Sequence, residues 1–275
     1  MRNTLSTDVR GRRMITLRRL RAGYGAATIL EDLSLGLGAG AMVGLIGPNG
    51  AGKTTLLKLL MGLMRPVSGE IRVLGRPVGT YRRSALARRM TLVPQDTQIG
   101  FAFDVEDIVA MGRHPHVGRF RAPGAHDLDM VQRAMAETGV RHLARRPIDT
   151  LSGGERQRAI IARAIAQETR ILLLDEVTAN LDLCHQLEVL RLAHKQARDG
   201  RLVLAAMHDL GMASRFCDRL LLLADGGLRA DGPPEAVLTE RNLRHYFHVE
   251  ARIAPMRHGP GLHIVPLASC SAAAS

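Results

Sequence analysis

Apolar residues along the chain gather in short blocks whose spacing changes with position. Ala41–Ile46 is an unbroken apolar run closed by glycine on both sides, the pattern of a strand buried on both faces. Ile171–Leu174 and Leu202–Met207 read the same way, and Ile71–Leu74 and Thr91–Val93 are shorter strand candidates. Between Ile15 and Leu37 the pattern alternates and is punctuated by Gly and acidic residues, which predicts strands of a small antiparallel sheet. Helical spacing marks Thr54–Leu63, Val105–Met111, Leu128–Thr138, Glu155–Ala166 and Leu181–Ala197. Residues from about 96 to 165 lack strong strand signals and hold Gly/Pro-rich loops between helices. The pattern therefore predicts an α/β fold: a mainly parallel core sheet, a small antiparallel β subdomain and an inserted α-helical subdomain.

The 275 residues suffice for one sizeable core with an inserted unit. No apolar run approaches the roughly 18–20 residues needed to span a bilayer; Leu202–Met207 and Leu220–Ala224 are strand-sized. Residues 1–13 are polar and carry Arg2, Arg10, Arg12 and Arg13, with no apolar segment after them, so no secretory leader is expected and the chain should stay in the cytosol. Cys184, Cys217 and Cys270 are odd in number and form no CxxC pair, which suggests neither a disulfide framework nor a zinc site. A formal charge of +12 would suit a polyanionic partner. The basic residues are mostly Arg and spread along the whole length, and no nucleic-acid module accompanies them, so no nucleic acid is expected as a partner.

The chemistry concentrates in three segments. Gly47-Pro48-Asn49-Gly50-Ala51-Gly52-Lys53-Thr54, followed by Thr55, fits G-x-x-x-x-G-K-[ST] between an expected strand and an expected helix. Its glycines let backbone N–H groups converge on phosphate oxygens at a helix N-terminus, Lys53 reaches the terminal phosphates and the Thr54 hydroxyl is a Mg²⁺ ligand. Ile171–Leu174 then delivers two carboxylates, Asp175 for Mg²⁺ and Glu176 to polarise an attacking water, into the same crevice. Leu151-Ser152-Gly153-Gly154-Glu155-Arg156-Gln157-Arg158 is a Ser/Gly turn opening a helix, with an acid in the first turn where the helix dipole favours it. Its adjacent glycines leave room for another phosphate to approach.

Together these segments resemble the phosphate loop, carboxylate strand and signature of the ATP-binding cassettes of ABC transporters, over nearly the whole chain. The resemblance implies a P-loop NTPase cassette, with a basic extension at 1–13, the ATPase domain at 14–250, its helical insert at about 96–165, and a tail at 251–275. Two such cassettes are expected to form a homodimer that sandwiches ATP, with Ser152, Gly153 and Gly154 of one subunit reaching the nucleotide held by Lys53 of the other. By the same resemblance Tyr24 stacks on adenine, and Gln95 senses Mg²⁺ and links the core to the insert. Asn180-Leu181-Asp182 communicates across the dimer, and His208 contacts the terminal phosphate and shares catalysis with Glu176 and Lys53. Val177 departs from the proline that commonly follows the catalytic glutamate. Proline brings no reactive group, so hydrolysis is expected to be retained.

The segment Phe101-Ala-Phe-Asp-Val-Glu-Asp-Ile-Val-Ala-Met-Gly-Arg113-His114-Pro115-His116 looks like the subfamily that powers bacterial import of iron–siderophore, haem and cobalamin complexes. Val93-Pro-Gln95-Asp-Thr97 leans toward the siderophore and cobalamin branch, with haem less favoured. The resemblance implies two transmembrane permease subunits as partners, an indirect link to a substrate-binding protein, and a peripheral position on the cytoplasmic face of the inner membrane. Val105, Ile108, Val109 and Met111 offer an amphipathic helix that could pack against a permease helix. Arg113, His114 and His116 lack a third nearby ligand and are not read as a metal site. The stretch from Gly232 is expected to end in a helix followed by a strand. An exporter motor, or a soluble ABC-type ATPase of translation or DNA repair, remains the alternative.

Overall fold

A computed structural model describes residues 13–25, 27–95, 103–118, 121–179 and 181–270. Residues 1–12 of the basic extension, Asp96, Thr97, Phe101, Ala102, Asn180 and the tail from Ser271 lie outside the described residues. In chain order the elements are β1 (Arg13–Tyr24), β2 (Ala27–Gly38), β3 (Ala41–Ile46), α1 (Lys53–Leu60), β4 (Ser68–Val73), β5 (Arg76–Pro77), α2 (Arg83–Ala87) and β6 (Met90–Val93). The insert supplies α3 (Val105–Ala110), α4 (Ala125–Glu137) and α5 (Gly153–Ala166). The core resumes with β7 (Ile171–Asp175), α6 (Leu183–Arg198), β8 (Leu202–Ala206), α7 (Leu210–Phe216), β9 (Arg219–Ala224) and β10 (Gly227–Gly232). It ends with α8 (Pro234–Val237), α9 (Glu240–Phe247), β11 (Val249–Pro255) and β12 (Leu262–Ser269).

The central sheet has six strands in the order β10-β9-β3-β8-β7-β6, parallel throughout except where β10 returns beside β9. Its uninterrupted apolar runs follow from burial on both faces. Met42 and Ile46 of β3, Leu172 and Leu174 of β7 and Val203 and Ala205 of β8 join one core with the insert and α6. The intervening Val43, Leu45, Ile171, Leu173, Leu202 and Leu204 join a second core with α1 and the antiparallel strands. Period-two alternation thus splits each strand between two cores, and neither face can be polar. The antiparallel sheet, ordered β2-β1-β4-β5, closes the second core by burying Leu17, Leu20, Leu33, Leu35 and Val73.

In the insert, Val105, Ile108 and Val109 are fully buried against Val131, Met135, Ile160 and Ile161. This corrects the expectation that they could pack against a permease helix: α4 and α5 of the same insert already cover that side of α3. Arg113 is likewise interior, at 3% exposure. Its Nε donates to Asp127 Oδ1 of α4 (2.9 Å), while Nη1 donates to the Ala166 carbonyl that ends α5 (2.7 Å) and to Glu168 Oε2 (3.2 Å). Gly112 beside it has no room for a side chain, since a Cβ would lie 2.2 Å from the Arg163 carbonyl oxygen. His116 Nε2 meets the Gln167 carbonyl at 2.8 Å, and the Gln167 amide bonds Thr91 Oγ1 of β6 and the Ala87 carbonyl. The Gly-Arg-x-Pro-His segment therefore fastens the insert to the strand that leads to Gln95.

The C-terminal part also differs from the expected single helix and strand. After α9 the chain forms a two-stranded hairpin, Val249 pairing with Ser269 and Pro255 with Leu262. Gly259 and Gly261, both at positive φ, allow the reversal. The hairpin docks through Leu262, whose N–H donates to Ser214 Oγ of α7 at 2.8 Å.

Candidate functional site

Three neighbouring strands bring the chemistry to one edge. The parallel register aligns Leu45 of β3 and Asp175 of β7 on either side of Ala206 of β8. The residues just beyond these positions are the phosphate loop, Glu176 and His208, all at the carboxyl ends of the strands, where open α/β sheets place ligands.

The loop after β3 is shaped by its glycines. Gly47 has φ 152° and a Cβ there would lie 2.0 Å from the Leu223 carbonyl oxygen, so only glycine fits. Gly52 has φ 93°, caps α1 in the left-handed conformation, and packs under Ile29 and Leu30 of β2. No side chain caps α1, so the N–H groups of its first turn point into the cleft without a side-chain acceptor. Ile29, Asn49, Gly50, Ala51, Gly52, Lys53, Thr54, Thr55 and Glu176 line this cleft of about 200 Å³. Ile29 was not among the residues singled out in the sequence. It reaches the loop because the antiparallel sheet folds β2 over α1, a contact that no local pattern announces.

Lys53 is buried at 5% exposure, its ammonium donating to the carbonyls of Gly47 (3.0 Å) and Pro48 (3.3 Å). Burial pushes its pKa down, opposed by the nearby Glu176 and Asp175 carboxylates. Thr54 Oγ1 donates to Asp175 Oδ1 at 3.0 Å. Burial raises the Asp175 pKa, the Thr54 hydrogen bond works against that rise and the charge of Glu176 adds to it. A hydroxyl and a carboxylate facing each other beside the loop are a hard-oxygen donor set that fits Mg²⁺. Such a cation would also relieve two carboxylates placed next to each other, adding to the charges of Lys53 and Lys58 that act on Asp175.

Glu176 stands at φ 51°, a left-handed conformation uncommon for a residue with a side chain and one that clusters at functional positions. Its N–H donates to the Ala206 carbonyl at 3.2 Å, and its Oε1 lies 2.5 Å from His208 Nε2. His208 is half-exposed whereas Glu176, which lines the cleft, is largely buried, so the pair runs from the cleft to its open mouth. Ser152, Gly153 and Gly154 are absent from the lining. Ser152 caps α5, its Oγ accepting from the Glu155 N–H while the Glu155 carboxylate accepts from the Ser152 N–H, a reciprocal cap. Tyr24 ends β1 half-exposed and outside the cleft lining, and Gln95 follows β6 in an exposed position.

A cradle of backbone N–H groups, a buried lysine, an opposed hydroxyl–carboxylate pair and a carboxylate–histidine pair define a nucleoside-triphosphatase of the phosphate-loop class. The profile of the ABC transporter family matches residues 30–179, and the chain belongs to that family. Among curated relatives it is 46% identical over 227 residues to the cobalamin import ATP-binding protein BtuD of Halobacterium salinarum. That alignment covers 82% of this chain and 56% of the relative, so the chain spans little more than half of that protein. It is 47% identical over 230 residues to the hemin import ATP-binding protein HmuV of Nocardia farcinica, covering 83% of this chain and 79% of the relative. Among solved structures, a metal-chelate type ABC transporter in an inward-facing conformation superposes with a TM-score of 0.81 at 33% identity, covering 93% of this chain and 98% of that one.

Proposed function

We propose that this chain is the ATP-hydrolysing subunit of an importer that brings an iron–siderophore or cobalamin-type chelate into the cell. The observation that carries the reading is the convergence of Lys53, the Thr54–Asp175 pair and the Glu176–His208 pair on one strand edge. The relatives add the direction of transport, since their names specify import. Those names divide between cobalamin and hemin, so the preference for siderophore or cobalamin over haem rests on the segment around Gln95 alone.

Lys53 would neutralise the terminal phosphates once they displace its two backbone carbonyls. Thr54 and Asp175 would hold Mg²⁺, with Gln95 as a further ligand, and the ion would supply charge neutralisation across the phosphates. Glu176 orients and polarises the attacking water, and His208 holds the Glu176 carboxylate and meets the transferred phosphoryl group. Tyr24, half-exposed at the end of β1 and outside the cleft lining, would stack on the base. The cleft is open where the signature of a second subunit would close it, and Ser152–Gly154 lie outside it on the same chain, which supports a homodimer with two composite sites. Closure of that dimer would pull on the insert and so on two transmembrane permease subunits at the cytoplasmic face of the membrane, with a substrate-binding protein handing over the cargo. Among the described residues no helix is long and apolar enough to cross a membrane.

The experiment is uptake of labelled ferric siderophore, haem and cobalamin by the native cell, comparing the parent with Glu176→Gln. Loss of one cargo identifies it. Normal entry of all three rejects the import reading.

A further inference from the structure

The two adjacent signature glycines have different surroundings. A Cβ on Gly153 would meet nothing within 4 Å, so no packing inside this chain requires glycine there. Gly154 is buried, and a Cβ on it would lie 2.3 Å from Cδ2, 2.5 Å from Cγ and 2.6 Å from Nε2 of His185. The imidazole thus covers the space in front of Gly154, in the first turn of α5. His185 itself sits in the first turn of α6, and it is held twice by one carboxylate. Asp182 Oδ1 accepts from the His185 N–H at 2.9 Å and lies 2.8 Å from Nδ1. These hydrogen bonds hold the Asp182 carboxyl below the usual carboxylate range, so the anchor is charged at neutral pH. One turn further along both helices, Arg158 Nη1 donates to Glu188 Oε2 at 2.8 Å, a second link between α5 and α6.

We propose that His185 is a positioning residue that fixes Gly154, and with it the N-terminus of α5, to the Asp182 loop, so that the signature meets the nucleotide of the partner cassette in register. α5 belongs to the insert and α6 to the core, and at their first turns the His185 ring against Gly154 is the contact that sets their spacing, one turn before the Arg158–Glu188 link. A ring anchored on one helix and filling the side-chain space of a glycine on the other converts their relative position into a van der Waals stop. The inference rests on the reading that two cassettes close over ATP with the signature acting across the interface.

The test uses the full chain with Glu176→Gln, in which ATP is bound without turnover. ATP-driven dimerisation is followed by light scattering, and binding of a fluorescent ATP analogue to the monomer is measured alongside. His185→Ala is expected to leave monomer binding within about twofold of the parent while raising the ATP concentration for half-dimerisation by about tenfold or more, the penalty of misplacing a contacting group by a fraction of an ångström. His185→Asn keeps a donor at the Nδ1 position and atoms at the Cγ and Cδ2 positions, and should recover dimerisation to within about threefold of the parent. Should His185→Ala fail to fold, His185→Ser, which likewise empties the space in front of Gly154, carries the comparison. Dimerisation of His185→Ala, or of His185→Ser in its place, at the parent's ATP concentration overturns the role of His185. A parent that binds ATP and stays monomeric at saturation overturns the dimer reading, and this inference falls with it.

Discussion

His208 Nε2 and Glu176 Oε1 lie 2.5 Å apart, each delivered by the end of a different strand. On the function proposed above, the pairing would make the histidine a holder of the carboxylate that polarises water. It also explains why the left-handed Glu176 backbone is tolerated, because the side chain is fixed at its far end. Glu176→Gln should keep ATP binding and lower the rate of phosphate release by about 10²–10⁴-fold, the range for loss of a general base. His208→Ala should fall in the same range with ATP affinity nearly unchanged. Release at the parent's rate from Glu176→Gln would move the catalytic role to another residue.

Val177 is buried and its N–H forms no hydrogen bond among the described residues, so proline at this position would remove no donor. The cost of Val177→Pro lies in the backbone, because proline pushes the preceding residue toward extended angles and Glu176 stands at φ 51°. The His208 contact and the Ala206 carbonyl hold Glu176 against that push. Steady-state turnover of Val177→Pro is therefore expected to stay within about tenfold of the parent, since proline adds no reactive group. A larger change would show that the conformation of this turn sets the rate.

The parts of the site legible in the sequence are those whose residues are consecutive. Gly47–Thr55 and Ile171–Glu176 announce themselves because one strand, one turn and one helix carry the whole device. Contacts that depend on how elements fold together left no local trace: Ile29 of β2 over Gly52, and His185 of α6 over Gly154. The burial of Arg113 left no local trace either, because charged side chains are seldom fully buried unless paired and its partners Asp127 and Glu168 come from separate parts of the chain. β10 and the final hairpin escaped notice for another reason. Gly227–Gly232 alternates only partly buried positions along a sheet edge, and β12 carries Pro266 and exposed residues along most of its length.

The buried guanidinium of Arg113 joins α4, the end of α5 and Glu168. Asp127 and Glu168 retain 17% and 42% side-chain exposure, so their charges regain water when the partner is lost, whereas the Ala166 carbonyl loses its donor. Arg113→Ala should therefore cost about 1.5–3 kcal/mol, the range for hydrogen bonds to charged groups, rather than the larger penalty of stranding a fully buried ion. Gly112→Ala should destabilise the same joint by driving a methyl group into the Arg163 carbonyl. Denaturant unfolding of both variants checks this. A loss below about 0.5 kcal/mol for Arg113→Ala, the size of an ordinary surface change, would remove the arginine from the list of structural fasteners.

The same joint gives a pH dependence with a defined sign. The Asp127 carboxyl is held below the usual carboxylate range, first by the Gly124 N–H and then by Arg113. An acid with a depressed pKa in the folded state contributes stability that is fully present above its unfolded value, about 3.9, and is lost as pH falls through the folded value. Asp127→Asn should melt below the parent at pH 7, and the gap should begin to narrow as the pH drops under about 4 and close only below the depressed folded value, where the native carboxyl takes up a proton and becomes equivalent to the amide in charge. Thermal melts of the two proteins between pH 7 and the acid limit of folding test it. A gap that stays constant across that range would mean that the Asp127 carboxylate contributes shape rather than charge, and that Arg113 is held by Glu168 and the end of α5 instead.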